Sequence, residues 1–347
     1  MDITKTKERF NFLDVARGIL IILVVIGHTS DTAGYANIIY WFHMPAFFIL
    51  SGYLLKIPNN SEFVSWTLKN IKKFFIPYLS FFSVFYLLPY AIKTPDIISN
   101  VKYIIKFLYG GRMVGGAFWF ITCLFLTQII FVWLKNRLAP KTLVFVILAL
   151  YVLGHIESIN ILPQNPDYFK WSIIYKYPLG IDICLISLTY MLIGFYFKKY
   201  SSIIVEKIKI YQFVALNIIC IAIISLYVIQ VFDYKIDMKA SYYKNYVLDI
   251  LIPVMFTMWI VMISKHIERY KLSKFLIYVG KNTLTIMYIH IAINLILQNR
   301  QGYGVVEHII LGISISLIFS YLINKFDITK ALFLGVSRKK TQIEISS

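Results

Sequence analysis

The 347-residue sequence is short of charge, and of acidic charge above all: Asp and Glu number 17, and charged residues of both signs make up 15%, against roughly 25% in a soluble domain. No polar stretch of the roughly one hundred residues that a separate soluble catalytic domain needs interrupts the apolar pattern, so any chemistry belongs to the apolar part of the chain. Cysteine is scarce as well. Cys123, Cys184 and Cys220 all fall inside apolar runs, which gives no disulfide framework and no paired-cysteine metal site. Internal repeats, low-complexity tracts and a linker rich in Pro, Gly or Ser are also missing. The chain therefore reads as one integral membrane domain over 1–347, with tails at 1–11 and 327–347.

What is present is apolar surface, 59% of residues, in long unbroken runs rather than single stripes. A bilayer core of roughly 30 Å needs a run of about 20 residues. Such runs extend from Phe12 to Ser30, Ala36 to Leu55, Phe74 to Ile92, Gly116 to Leu134, Leu143 to Ile156 and Leu179 to Phe197. Four more follow, Tyr211 to Phe232, Val247 to Ser264, Phe275 to Leu297 and Val305 to Ile323. The expected fold is all-α, a polytopic membrane bundle of about ten transmembrane helices. The basic start followed by Gly18 to Gly27 imitates a signal peptide, but no small-x-small cleavage site follows it, so it is read as a retained first helix. The fifth run is short for a span, and Val101 to Tyr109 reads as a short interfacial helix.

Lys and Arg number 35, giving a net charge of +18. In a soluble protein that excess would suggest nucleic acid, but here the cations lie in loops, where retention of positive charge in the cytoplasm accounts for them. With both ends inside, the N-terminal segment (Lys5, Lys7, Arg9), the even-numbered loops and the C-terminal tail hold 23 of the 35, and the odd loops hold 10. Both termini are expected in the cytoplasm, and no nucleic-acid partner is expected. The loop after the third run fits this least well, since it puts Lys93, Lys102, Lys106 and Arg112 outside.

A charged side chain near mid-bilayer costs at least ~2.5 kcal/mol, so each one asks for a reason. The first run carries Asp14, Arg17 and His28. Arg17 and His28 are eleven residues apart, about three helical turns, so they share a face about 16 Å apart along the axis. In the second run, Trp41-Phe42-His43-Met44-Pro45, the proline removes a backbone donor and is expected to kink the helix and free the Trp41 carbonyl. Ser51-Gly52 permits close approach of a neighbouring backbone. The ninth run, antiparallel to the second, carries Lys281, Asn282 and His290. Depth along these runs puts His28, His43 and His290 at one level in the outer half. Two plainer readings stand beside a catalytic one: hydrogen bonds that join helices, and a metal site. None of the three histidines has a His or carboxylate three or four residues away on its own helix, so no metal is expected. Glu157, Asp182 and Asp249 on the outer side read first as ordinary interfacial residues, and second as candidates to orient an imidazole.

These residues also carry a resemblance. Phe12-Leu13-Asp14-Val15-Ala16-Arg17-Gly18 through Gly27-His28 resembles the first-helix signature of the acyltransferase-3 family, an Arg or Lys, ten residues, then His. Phe42 through Leu54 resembles its second signature, and Phe118-Trp119-Phe120 and Gly280 through His290 its later ones. Within the family, the opening and closing motifs look like those of the stand-alone O-acetyltransferases of bacterial surface polysaccharides. Where many relatives carry arginines after the second helix, this chain has Lys69, Lys72 and Lys73, which bind phosphate as point charges without the bidentate fork.

The resemblance implies a multi-pass enzyme of the bacterial cell membrane that moves an acetyl group from acetyl-CoA to a hydroxyl of a glycan or lipid-linked sugar. It makes His28 the base or acyl carrier, with His43 and His290 orienting the acceptor or thioester. Arg17, Lys72 and Lys73 would hold the donor's phosphates, Ser51 and Asn282 would supply hydrogen bonds, and Trp119 and Glu157 would contact the acceptor. A transporter or flippase of a lipid-linked sugar is the rival reading; the inverted repeats and paired broken helices of such folds are not seen in the sequence. A membrane protein without chemistry, its polar residues only joining helices, is a third. The sequence does not indicate an oligomeric state.

Overall fold

The computed structural model describes residues 11–29, 34–112, 114–160, 177–207, 209–298, 300 and 302–336. Part of the basic excess, at Lys5, Lys7, Arg9 and Arg338 to Lys340, lies outside them. The described residues form helices and no strand beyond an isolated antiparallel bridge between Asp237 and Tyr242. In order the helices are α1 (Asn11–Gly27), α2 (Tyr35–Tyr40), α3 (His43–Leu54), α4 (Phe63–Phe82), α5 (Leu88–Lys93) and α6 (Ile97–Leu108). Then come α7 (Phe118–Arg137), α8 (Pro140–Asn160), α9 (Ile181–Lys207), α10 (Ile210–Val228) and α11 (Leu248–Ile267). Last are α12 (Leu272–Lys281), α13 (Thr283–Leu297), α14 (Val305–Ile323) and α15 (Asp327–Leu334).

Much of the apolar surface faces outward. On α10 only Cys220 is buried, while Val214, Ile218, Ile219 and Ile221 are exposed. Water would not tolerate such a helix, and lipid tails match it. Among the described residues seven helical segments are long and apolar enough to cross a membrane, or eight if the bent pair α12–α13 is one span. Of the ten expected spans, the first two are the ones that fall short on length. Helix α1 has 17 residues, about 25 Å, and the second run is divided.

Four expectations need correcting. The second run is not one kinked helix. It breaks at Trp41-Phe42, and Pro45 falls in the first turn of α3, where its missing N–H would have had no intrahelical acceptor anyway. The ninth run breaks at Asn282 with an 80° bend between α12 and α13. Hydropathy runs on through that break, and side chains satisfy the backbone there: Thr283 Oγ1 donates to the Gly280 carbonyl at 2.6 Å, Asn282 donates to the Tyr278 carbonyl at 2.7 Å, and Ser320 of α14 donates to Asn282. The third helix begins at Phe63, not Phe74, and continues through a π-helical turn at Ser83–Leu87 to Lys93, so Lys69, Lys72 and Lys73 lie on a helix rather than in a loop. The tail expected from 327 starts with α15, whose Phe333 packs 5.0 Å from Phe81 of α4. The expected interfacial helix is present as α6, with Ile98, Val101, Ile105 and Leu108 exposed and Phe107 buried.

Two close helix crossings fix the helices that bear the histidines. A Cβ on Gly18 would lie 2.2 Å from the Leu276 carbonyl oxygen, and one on Gly280 would lie 1.9 Å from that of Asp14, so α1 and α12 meet backbone to backbone. Gly52 against Met191 (2.1 Å) and Gly194 against Ile49 (1.9 Å) join α3 to α9 in the same way, as small residues do between membrane helices. These contacts also set levels. Gly280 lies at Asp14, and Asn282 beside it bonds Ser320 near the end of α14; Gly312, two turns earlier on α14, touches Val25 and His290. The two described ends of the chain are therefore on one side of the bundle, and the histidines lie toward the other.

Candidate active site

The histidines meet as their depths imply. His28 follows the last turn of α1, which is tethered by the Tyr40 hydroxyl donating to the Gly27 carbonyl at 2.7 Å. The His28 and His290 rings are 5.3 Å apart edge to face, and Tyr40 lies between His28 (6.4 Å) and His43 (5.3 Å). Each ring uses one device. Nδ1 of His28 is 2.7 Å from the Val24 carbonyl, that of His43 2.8 Å from Ile39, and that of His290 2.7 Å from Ile286, four residues back in each case. A carbonyl only accepts, so the proton sits on Nδ1 and the lone pair is left on Nε2. Nε2 of His290 has no hydrogen-bond partner among the described residues.

Beside these rings is a cavity of about 270 Å³. His28, Tyr40 and His43 line it, with Trp119 from the start of α7 and an apolar floor that includes Met44 and Met287. The local sequence explains Trp119's place. Its neighbour Phe118 is buried among Tyr86, Phe107 and Tyr288, and Phe120 packs on Phe48, which leaves the indole between them for the cavity. His290 stands behind His28, one turn beyond Met287. A wall of Asp237, Met238 and Lys239 closes the cavity from the connection between α10 and α11.

The other residues singled out in the sequence lie elsewhere. Arg17 is at the opposite end of α1, 3.3 Å from Asp14 with its side chain 34% exposed, and does not line the cavity. Lys72 and Lys73 are exposed on α4. Ser51 sits on α3 next to the crossing at Gly52, and Asn282 is occupied at the α12–α13 break. The acids do not orient the cavity imidazoles. Asp182 pairs with Arg112, Asp249 with His155, and Glu157 interacts with Tyr177; backbone carbonyls do the orienting instead.

Sequence reasoning missed Tyr40, Asp237, Lys239 and a fourth histidine. His308 is buried on α14, its Nδ1 3.2 Å from the Tyr303 hydroxyl, one turn before the Gly312 that touches His290. The depth argument applied to the tenth run would have found it. Arg112 had left a signal in the charge count as a cation on the wrong side. It is a buried partner of Asp182 at 2.6 Å, with side-chain exposures of 5% and 1%.

A helical multi-pass membrane protein with an interior cavity edged by histidines whose Nδ1 atoms are tied to carbonyls holds the groups that acid–base or acyl-transfer chemistry uses. A family model described as an acyltransferase domain, that of the acyltransferase-3 family, matches residues 10–325. The chain belongs to this family. No curated protein and no solved structure matches it.

Proposed function

We propose that the chain is a membrane O-acyltransferase that transfers acetyl from acetyl-CoA to a hydroxyl of a cell-surface or exported polysaccharide, or its lipid-linked precursor, in the bacterial cell membrane. The observation that carries this reading is the shared cavity of His28 and His43, each ring with Nδ1 tied to a carbonyl and Nε2 left to act.

The acceptor oxygen attacks the thioester carbonyl while its proton passes to Nε2 of His28. The carbon–sulfur bond then breaks, and the coenzyme A thiolate takes that proton from the imidazolium. A positioned base contributes about 10²- to 10⁴-fold. His43, its ring centroid 5.3 Å from that of Tyr40, orients the acceptor or polarises the thioester, and His290 supports His28 from behind. Arg17, Lys72 and Lys73 supply cations toward the end of the bundle where both described ends of the chain lie. The charge bias makes that end cytoplasmic, where coenzyme A is made. With Arg112 committed to Asp182, one of the four cations that opposed this orientation has a structural reason to be outside. A single catalytic membrane domain fills the chain, without a metal.

Mass spectra of glycans from cells with and without the chain test the reading. One acetyl group per modified residue should appear only with the chain and disappear in His28→Ala at normal protein level. Identical glycans in all three cases would refute it.

A further inference from the structure

One wall of the cavity is not made by helices. In the connection between α10 and α11, Asp237 and Tyr242 exchange two backbone hydrogen bonds, of 3.1 and 2.9 Å, and Asp237 Oδ1 accepts the Ala240 N–H at 3.1 Å. The turn between them presents Asp237, Met238 and Lys239 to the cavity. Ser241, within that turn, has φ +54, a left-handed conformation that persists only where the surroundings over-determine it.

The surroundings do so. Arg112 donates from Nε to the Lys239 carbonyl at 2.5 Å, from Nη1 to Asp182 at 2.6 Å and from Nη2 to the Ser241 hydroxyl at 2.7 Å, and that hydroxyl donates to Asp182. Ser158 of α8 donates to the Ser241 carbonyl at 2.7 Å, and Trp41 Nε1 holds the Tyr234 carbonyl at 2.9 Å. So many buried ties on one short, strained turn make a rigid wall whose side chains face the histidines' cavity.

We infer that this turn selects the acceptor: Asp237 and Lys239 bind a ring rich in hydroxyl groups beside Trp119, with Arg112 as the positioning residue that sets their register. The inference rests on the acyl-transfer reading and adds the acceptor's chemistry to it. A carboxylate accepts from two hydroxyls, an ammonium donates to hydroxyl and ring oxygens, and an aromatic face covers the C–H face of a sugar. The opposite charges of Asp237 and Lys239 disfavour an acceptor chosen for its own charge, and a simple lipid alcohol would use neither. Burial holds the Lys239 ammonium below the ordinary lysine value, with Asp237 opposing that shift and Arg112 adding to it.

The test uses the full chain in liposomes with labelled acetyl-CoA, and, as acceptor, total glycan extracted from cells lacking the chain. Asp237→Asn, Lys239→Gln and Arg112→Lys should each raise the acceptor KM roughly tenfold, the loss of one buried polar contact, while the acetyl-CoA KM stays within about twofold. Octanol should not compete with the glycan. Membrane level and thermal stability are measured for each variant, and Asp237→Asn, at a half-buried turn position, keeps the test open if Arg112→Lys fails to accumulate. Transfer with an unchanged acceptor KM, an equal rise in donor KM, or competition by octanol would overturn the inference alone. Absence of transfer by the unmodified protein would overturn the acyl-transfer reading with it.

Discussion

The two ends of α1 are built differently. Around Val24 and His28 the polar atoms are buried, each imidazole is tied to a carbonyl, and a buried ion pair braces the wall that closes the cavity. The ion pair of Asp14 and Arg17 leaves a third of the arginine side chain exposed, and Lys72 and Lys73 on α4 are exposed as well. A group lost from the first region leaves a buried partner unsatisfied; in the second, water replaces it. The sequence signature that joins an arginine to a histidine eleven residues on thus names two stations along a helix, one interior and one at the rim, and not one cluster.

Breaking the two ion pairs gives the largest contrast. Arg112→Ala strands the Asp182 carboxylate and should destabilise the protein by about 3–5 kcal/mol, whereas Arg17→Ala should cost no more than ~1 kcal/mol. Thermal unfolding in the same lipid or detergent compares them, and equal losses would erase the distinction. Next come the crossings. Gly280→Ala must push α12 off the Asp14 carbonyl, at roughly 1–3 kcal/mol, whereas Gly34→Ala meets nothing within 4 Å and should leave stability unchanged.

A smaller effect concerns pH. The Lys239 ammonium, its pKa lowered by burial, gives up its proton earlier than a free lysine as pH rises. Asp237, Arg112, His28, His43 and Tyr40 surround it. The acceptor KM should therefore climb on the alkaline side, and Lys239→Arg should move that climb to higher pH. The smallest effect belongs to the rim. Arg17→Ala should raise the acetyl-CoA requirement severalfold, and Lys72→Ala or Lys73→Ala less, since each exposed cation acts as a point charge. An unchanged donor requirement in all three would leave the rim without a donor role.

Much of this was legible in the sequence for simple physical reasons. Apolar runs report the solvent a helix will meet, and a depth count along antiparallel helices put His28, His43 and His290 at one level. Hydropathy is blind to helix breaks: Pro45 pointed to a kink where the helix instead breaks at Trp41-Phe42, and the bend at Asn282, whose backbone side chains satisfy, was invisible. The cavity wall was hidden for another reason: Asp237 and Lys239 sit in a polar connection that patterning reads only as a loop. Their place depends on Arg112, more than a hundred residues away. Arg112 itself was visible only as an anomaly in the distribution of positive charge, which burial against Asp182 resolves.

The central claim is that the free Nε2 of His28 takes the acceptor's proton. The most direct measurement is the rate of acetyl transfer from acetyl-CoA by purified, lipid-reconstituted His28→Ala against the unmodified protein, with both shown to be folded. A fall of about 10²- to 10⁴-fold is expected, and a rate within about twofold of the unmodified protein would contradict the account.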